Sequence, residues 1–250
     1  MALHPLFLTK PITHRGLHDI AQGAPENSPA AFRAAMDKGY GIELDLQCSS
    51  DGQAIVFHDY ELERLTNAKG LIKDKAAAEL GKIKLRDSDE TIPTLKKILD
   101  TVAGQVPLLI EIKDQDGGLG RNVGLIAQNI AALLEFYPGP VAVMSYNPHA
   151  VAAVGALAND VTLGLVTSSF SHASWDKLPT DLRKRFVNIT DFDESGASFI
   201  SHNRNDLHSE PVTKLKARGV PVLCWTVQSK DQETQARKIA DNITFEGYFA

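Results

Sequence analysis

The residues between Tyr40 and Asp59 show the clearest pattern of apolar and polar positions in the chain. Apolar residues at positions 42, 44 and 46 alternate with polar ones, which predicts a β-strand whose one face carries Glu43, Asp45 and Gln47. Asp51-Gly52 predicts a turn, and the apolar run after it, which ends on His58-Asp59, predicts a second strand. We expect the acidic face to line a barrel interior or a cleft, where like charges need a cation.

Strands and helices are predicted to alternate along the chain. The predicted strands cover residues 12–13, 40–47, 54–59, 107–113, 141–144, 161–166, 198–201 and 220–227. Helices are predicted at residues 28–39, 94–102, 122–136, 148–157, 175–185, 210–218 and 231–240. This alternation indicates an α/β protein with a parallel sheet. Eight strand–helix units fit a closed (β/α)8 TIM barrel better than an open sheet.

Residues 60–93 interrupt the alternation. They are charged and irregular, with Lys69-Gly70 and Gly81 as breakers and a short helix predicted near residues 76–80. We interpret them as a small insertion after the third strand. No internal repeat or low-complexity linker marks a boundary, so residues 1–250 are predicted to form a single domain.

The residues at the predicted strand ends carry the candidate chemistry, because the functional site of such a barrel lies at the C-terminal ends of its strands. Glu43, Asp45 and Glu111 supply three hard oxygen ligands, which suit Mg²⁺ or Ca²⁺ and suit zinc poorly. His14 and His58 are a natural pair for general acid and base catalysis.

Cationic and aromatic residues complete the candidate site. Arg15 and Lys113 are suited to binding an oxyanion such as phosphate. Trp225 either forms a wall of the pocket or packs in the core. Glu26 is interpreted as a structural partner that aims Arg15, and Asp59 as a residue that orients a neighbouring group.

Composition and charge limit the classes of partner and the cellular compartments that are compatible with the chain. The net charge of −5 and the lack of a basic run argue against a nucleic-acid partner. No apolar run approaches membrane-spanning length, and the first residues lack the basic and apolar regions of a signal peptide. Cys48 and Cys224 are expected to be free thiols. These features predict a cytoplasmic protein.

Several short motifs follow one another in a fixed order: His14-Arg15-Gly16, Pro25-Glu26-Asn27-Ser28, Gly41-Ile42-Glu43-Leu44-Asp45, Asp51-Gly52, Val56-Phe57-His58-Asp59, Leu62-x-Arg64-Leu65-Thr66, Ile92-Pro93-Thr94-Leu95, Glu111-Ile112-Lys113 and Trp225-Thr226-Val227. In order and spacing this set resembles the glycerophosphodiester phosphodiesterase family over nearly the whole chain. The chain departs from the family at its end, where Asn242-Ile-Thr-Phe-Glu-Gly stands in place of the usual Thr-Asp-x-Pro.

The resemblance implies a phospholipase-C-like (β/α)8 barrel that hydrolyses glycerophosphodiesters to glycerol 3-phosphate and an alcohol. By the same resemblance the two histidines are the acid/base pair, the three carboxylates hold a divalent cation, and Arg15 and Lys113 contact phosphate. Residues 60–93 then correspond to the family's insertion beside the active-site mouth.

Two other functions are compatible with these residues. A related barrel phosphodiesterase acting on lysophospholipids would favour exposed apolar surface at the mouth, whereas the insertion is charged. A non-catalytic barrel that binds phosphodiesters would be expected to lose a base or a ligand, whereas both histidines and all three carboxylates are present. Hydrolysis of a glycerophosphodiester is therefore the favoured function.

Overall fold

A closed β-barrel forms the centre of the protein in the computed structural model, which describes residues 1–250 apart from the side chain of Ser174. The sheet runs in the order β1-β9-β8-β7-β6-β5-β4-β2-β3, and a further β1–β2 pairing closes it. The strands are β1 Ile12–Thr13, β2 Gly41–Cys48, β3 Ala54–Val56, β4 Leu108–Ile112, β5 Val141–Ser145, β6 Thr162–Thr167, β7 Phe199–Asn203, β8 Val222–Val227 and β9 Asn242–Phe245. All neighbours pair in parallel except β2 and β3. The prediction of a (β/α)8 barrel is confirmed.

Most of the helices connect barrel strands. The helices are α1 Leu6–Thr9, α2 Pro29–Asp37, α3 Ala77–Leu80, α4 Leu95–Val102, α5 Ile126–Leu134, α6 Pro148–Gly155, α7 Thr180–Val187, α8 Glu210–Ala217 and α9 Lys230–Ala236. Of these, α1 precedes β1 and α3 lies in the insertion. Side-chain caps set several starts: the Ser28 hydroxyl accepts a hydrogen bond from Ala31 N at 3.1 Å, and Thr94 caps α4 in the same way. None of the described helices combines the length and the apolar character needed to cross a bilayer.

Two strands differ from the prediction. Ala54–Val56 is not a barrel strand but pairs antiparallel with β2, with Leu46 opposite Val56, because the short Asp51-Gly52 turn makes a hairpin and a parallel neighbour needs a long crossover. The eighth barrel strand is Asn242–Phe245, which lies between β8 and β1 and was not predicted. Its four residues alternate between polar and apolar, but the segment is short and two of the four residues are polar, unlike the apolar runs of the other buried strands.

Apolar residues fill both sides of the barrel wall. Residues such as Ile110, Val143 and Ile200 pack outward against the helices, in the largest buried cluster. The lower barrel interior is filled by a second cluster that includes Leu109, Phe199 and Leu223. The interior is therefore a packed core below and leaves room for a site only at the C-terminal ends of the strands.

Residues 60–93 form a small structured insertion rather than an open loop. Leu62, Ile72 and Leu80 are buried with Phe57 of the hairpin in an apolar cluster of their own. This packing fixes the insertion against β3 and so holds it next to the strand ends that carry the candidate site.

Candidate active site

Three buried carboxylates lie at the C-terminal ends of two neighbouring strands. Glu43 and Asp45 lie two residues apart on β2, which places them on one face, and Asp45 is in register with Glu111 on β4. Their relative exposures are 2%, 0% and 8%, and one oxygen from each lies within 4.8 Å of the others. The predicted three-carboxylate cluster is thus present.

The electrostatics of this cluster favour a bound cation. Burial, and then the charges of Asp45 and Glu111, raise the pKa of Glu43 well above its usual value. Burial also opposes ionisation of Asp45, but neighbouring cations, Lys113 foremost, hold the pKa of its carboxyl far below its usual range. Asp45 Oδ1 is buried, and its ion-pair partner Lys113 Nζ lies 2.7 Å away. A hard divalent cation fits this donor set.

Each histidine is held through Nδ1 by a carboxylate. His14 Nδ1 lies 2.6 Å from Glu246 Oε2, and His58 Nδ1 lies 2.6 Å from Asp59 Oδ1. Because an ionised carboxylate can only accept, each Nδ1 carries the proton and donates it. Among the described side chains neither Nε2 has a hydrogen-bond partner. Burial lowers the pKa of His14 below 6.5, which favours the neutral imidazole at pH 7.

Two cations lie beside the carboxylates. The Arg15 backbone N–H donates to Glu43 Oε2 at 2.9 Å, and its Nη1 donates to Glu26 Oε1 at 2.7 Å. The interpretation of Glu26 as a partner of Arg15 is confirmed. Lys113 Nζ lies 2.7 Å from Asp45 Oδ1 and 2.7 Å from Glu111 Oε1, so it currently forms ion pairs with two candidate metal ligands.

Apolar and aromatic side chains form one part of the remaining wall of the site. Trp225 Nε1 donates to Ser201 O at 3.0 Å, which fixes the indole plane. Tyr146 packs against the Trp225 ring at a centroid distance of 6.0 Å, and Met144 and Val166 lie beside them. Trp225 is thus both packed and part of the pocket wall. A substrate would meet charged groups on one side and aromatic rings on the other.

One cavity of ≈ 240 Å³ brings the predicted site residues together: His14, Arg15, Glu43, His58, Glu111, Lys113 and Trp225 all line it. Asp45 does not line it, but completes the carboxylate cluster with Glu43 and Glu111. Two other polar residues at the strand ends make structural contacts: Thr167 Oγ1 lies 2.8 Å from His202 Nδ1, and Ser145 Oγ donates to Ile112 O.

Two residues at the site were not predicted to take part in it. Glu246 holds His14 and lies 232 positions from it, in the segment where the chain departs from the family, so no local signal pointed to it. Arg64 of the insertion donates to both Glu26 and Asp59. Arg64 belongs to the Leu62-x-Arg64-Leu65-Thr66 motif, so the sequence did contain a signal for its role in the site.

Comparison with known proteins identifies the family of this chain. The model of the glycerophosphoryl diester phosphodiesterase family matches residues 14–242. A glycerophosphodiester phosphodiesterase of Caldanaerobacter subterraneus is 29% identical over 93% of this chain and 91% of its own. A putative one of Bacillus subtilis is 28% identical over 90% and 88% of the two chains.

Solved structures share the fold. A phosphodiesterase of Oleispira antarctica, in complex with the product sn-glycerol-3-phosphate, superposes with a TM-score of 0.76 at 23% identity over 95% of this chain and 92% of its own. A putative glycerophosphodiester phosphodiesterase of Galdieria sulphuraria gives 0.75 at 21% identity, over 98% and 94% of the two chains. Together with the family match, these likenesses establish that this chain belongs to the glycerophosphoryl diester phosphodiesterase family of hydrolases.

Proposed function

We propose that the protein hydrolyses glycerophosphodiesters to glycerol 3-phosphate and an alcohol. The supporting observation is that two carboxylate-held imidazoles, a buried acidic cluster and two cations border one cavity. The names of the curated relatives and the product bound to the Oleispira protein point to the same reaction. The substrate is a small molecule, in keeping with the size of the cavity.

A divalent cation, Mg²⁺ or Ca²⁺, is part of this proposal. Glu43, Asp45 and Glu111 would hold it, since they are buried and close together and since the charges of Asp45 and Glu111 add to burial in raising the pKa of Glu43. When bound, such an ion neutralises charge on phosphate oxygens and lowers the pKa of a nearby hydroxyl.

Arg15 and Lys113 would bind the phosphate. Arg15 is held by Glu26, so its guanidinium is already aimed at the site. Lys113 is paired with Asp45 and Glu111 and lines the same cavity, so its ammonium would supply the second positive charge for the phosphate. The ring of Trp225 would border the carbon skeleton of glycerol.

The two histidines would carry out the proton transfers. The glycerol 2-hydroxyl is the nucleophile, and one imidazole takes its proton as the oxygen attacks phosphorus. The other imidazole protonates the departing alcohol, so that a cyclic 1,2-phosphate and the free alcohol form. Water then opens the ring with the roles reversed, which gives glycerol 3-phosphate and restores both protonation states.

The decisive experiment is to measure glycerol 3-phosphate release from a panel of glycerophosphodiesters and lysophospholipids, with and without chelator. We expect metal-dependent release from the glycerophosphodiesters. Turnover of the lysophospholipids alone would replace this proposal by the lysophospholipid alternative, and binding without turnover would indicate a phosphodiester-binding barrel.

The compartment and the domain organisation are also proposals. We propose a cytoplasmic location, supported by the two unpaired thiols, Cys48 and Cys224. We further propose that residues 1–250 act as one domain, with residues 60–93 as part of it. Cell fractionation and limited proteolysis, respectively, test these statements.

A further inference from the structure

Glu246 follows directly on β9, at the point where the barrel closes. Thr13 of β1 is in register with Phe245 of β9, and His14 N donates to Phe245 O at 2.8 Å. His14 and Glu246 are therefore the next residues on two paired strands. This register brings their side chains to the same rim of the cavity, although the two residues lie at opposite ends of the chain.

The Glu246 carboxylate is fixed from several sides. Its Oε2 lies 2.6 Å from His14 Nδ1, and its Oε1 accepts from Gln228 Nε2 at 2.8 Å. Its backbone N–H donates to Val227 O at 3.0 Å, which anchors the residue to the end of β8. The hydrogen bond from His14 is the main cause that lowers the pKa of Glu246, so the carboxylate is ionised at neutral pH.

The carboxylate behind the second histidine has different surroundings. Asp59 Oδ2 accepts from Arg64 Nε at 2.6 Å, so a guanidinium offsets much of its charge. The described neighbours of Glu246 are the amide of Gln228 and, 3.6 Å away, the Nε2 atom of His18. The charge of Glu246 therefore acts on His14 with less compensation than the charge of Asp59 acts on His58.

We propose that Glu246 is a positioning residue for His14: it keeps the ring proton on Nδ1, turns Nε2 towards the cavity, and stabilises the imidazolium that forms when His14 accepts a proton. The proposal rests on the phosphodiesterase function above. It assigns a role to the segment in which this chain departs from the family, and the same carboxylate–imidazole geometry orients catalytic histidines elsewhere.

Substitutions at Glu246 separate orientation from charge. In Glu246→Gln the amide oxygen stays opposite the Gln228 donor, so the new –NH₂ group faces Nδ1 and drives the ring proton to Nε2. Glu246→Ala removes both the acceptor and the charge. Glu246→Asp keeps the charge on a shorter side chain and should restore part of the activity lost in the other two variants.

The test is steady-state kinetics of the full-length protein on a glycerophosphodiester. We expect Glu246→Gln and Glu246→Ala to lower kcat by roughly 10²-fold with little change in KM, because the lost interaction acts in the transition state. In Glu246→Ala the acidic limb of the kcat/KM profile should move to lower pH, since the imidazolium loses its counter-charge. The matched control is Glu233→Gln on α9, whose carboxylate bonds Arg237 outside the cavity and whose loss should leave kcat unchanged.

Nitrogen NMR of His14 gives a readout that does not need activity. We expect the proton on Nδ1 in the wild type and on Nε2 in Glu246→Gln. The proposal is overturned if the tautomer is the same in both proteins, or if folded Glu246→Gln and Glu246→Ala keep wild-type kcat. An inactive wild type would refute the phosphodiesterase function instead, and the NMR result would still decide the role of Glu246.

Discussion

Replacing Arg64 by alanine should disturb two parts of the site at once. Arg64 Nη1 and Nη2 donate to Glu26 at 2.9 Å each, and Nε and Nη2 donate to Asp59 at 2.6 and 2.8 Å. Glu26 in turn holds Arg15, and Asp59 holds His58. A single side chain of the insertion thus supports both the proposed phosphate-binding arginine and one of the proposed acid/base residues.

The expected loss of stability is modest. The Arg64 side chain is 46% exposed, so solvent screens its two bidentate ion pairs and each contributes about 0.5–1 kcal/mol. Arg64→Ala should therefore lower the free energy of unfolding by about 1–2 kcal/mol, which corresponds to a fall in Tm of roughly 2–8 °C for a chain of this size.

The expected loss of activity is larger than the loss of stability. Removing a group that orients catalytic side chains costs about 10–100-fold. Arg64→Ala should lower kcat/KM by that factor, and Arg64→Lys should recover only part, since an ammonium lacks the fork that spans two carboxylates. Arg86→Ala is the control, because Arg86 donates to Glu63 O and Thr66 O, both within the insertion. Wild-type kcat/KM in a folded Arg64→Ala protein would refute this reasoning.

The same network gives a pH dependence. Burial alone would raise the pKa values of Glu26 and Asp59. Hydrogen bonds from Arg64 and from the other partners of these two carboxylates outweigh burial and lower both pKa values. Because the pKa values of both carboxyl groups are lower in the folded than in the unfolded protein, their ionised forms stabilise the fold above about pH 4. This stabilisation is lost as the pH falls further. Thermal unfolding scans between neutral pH and pH 3 should show a weaker acid destabilisation in Arg64→Ala than in the wild type.

The remaining predictions concern the groups that line the cavity. Excess EDTA should abolish turnover and lower Tm, and Glu43→Gln should weaken metal binding measured by calorimetry; full activity in EDTA would disprove the metal site. Arg15→Lys should lower kcat/KM strongly while circular dichroism stays native, and unchanged kinetics would mean that phosphate is held elsewhere. His14→Ala and His58→Ala should each lower kcat by roughly 10²–10⁴-fold, and the double variant by less than the product. A 2-deoxy substrate hydrolysed at the normal rate would show that water is the nucleophile.

The carboxylate cluster could be predicted because it depends on local pattern. The period of two on β2 fixes Glu43 and Asp45 on one face, and the parallel β2–β4 pairing then brings Glu111 into register. Because the functional site of a barrel lies at the C-terminal ends of its strands, the other predicted residues could be assigned to the same site. The contact between His14 and Glu246 could not be predicted in this way, because it depends on which two strands close the barrel.

The hairpin shows where counting strands is insufficient. Ala54–Val56 has the composition of a barrel strand and is fully buried, yet it lies outside the barrel because its connection to β2 is too short for a parallel crossover. The predicted total of eight barrel strands was correct only because Ala54–Val56 was counted in error and β9 was missed. The length of the connection, not the apolar content of the segment, decided the pairing.

Asn242, one of the two polar residues of β9, has a structural role. Asn242 is buried, and its Nδ2 donates to Phe7 O at 2.7 Å and to Lys10 O at 2.6 Å, just before β1. On the other side of β1, Thr13 Oγ1 donates to Gly41 O at 2.9 Å. A strand of two residues forms few ladder bonds of its own, so these side chains supply the remaining anchorage. Since His14 and Arg15 follow this strand directly, the polar residues that close the barrel also position one of the two proposed acid/base residues and the proposed phosphate-binding arginine.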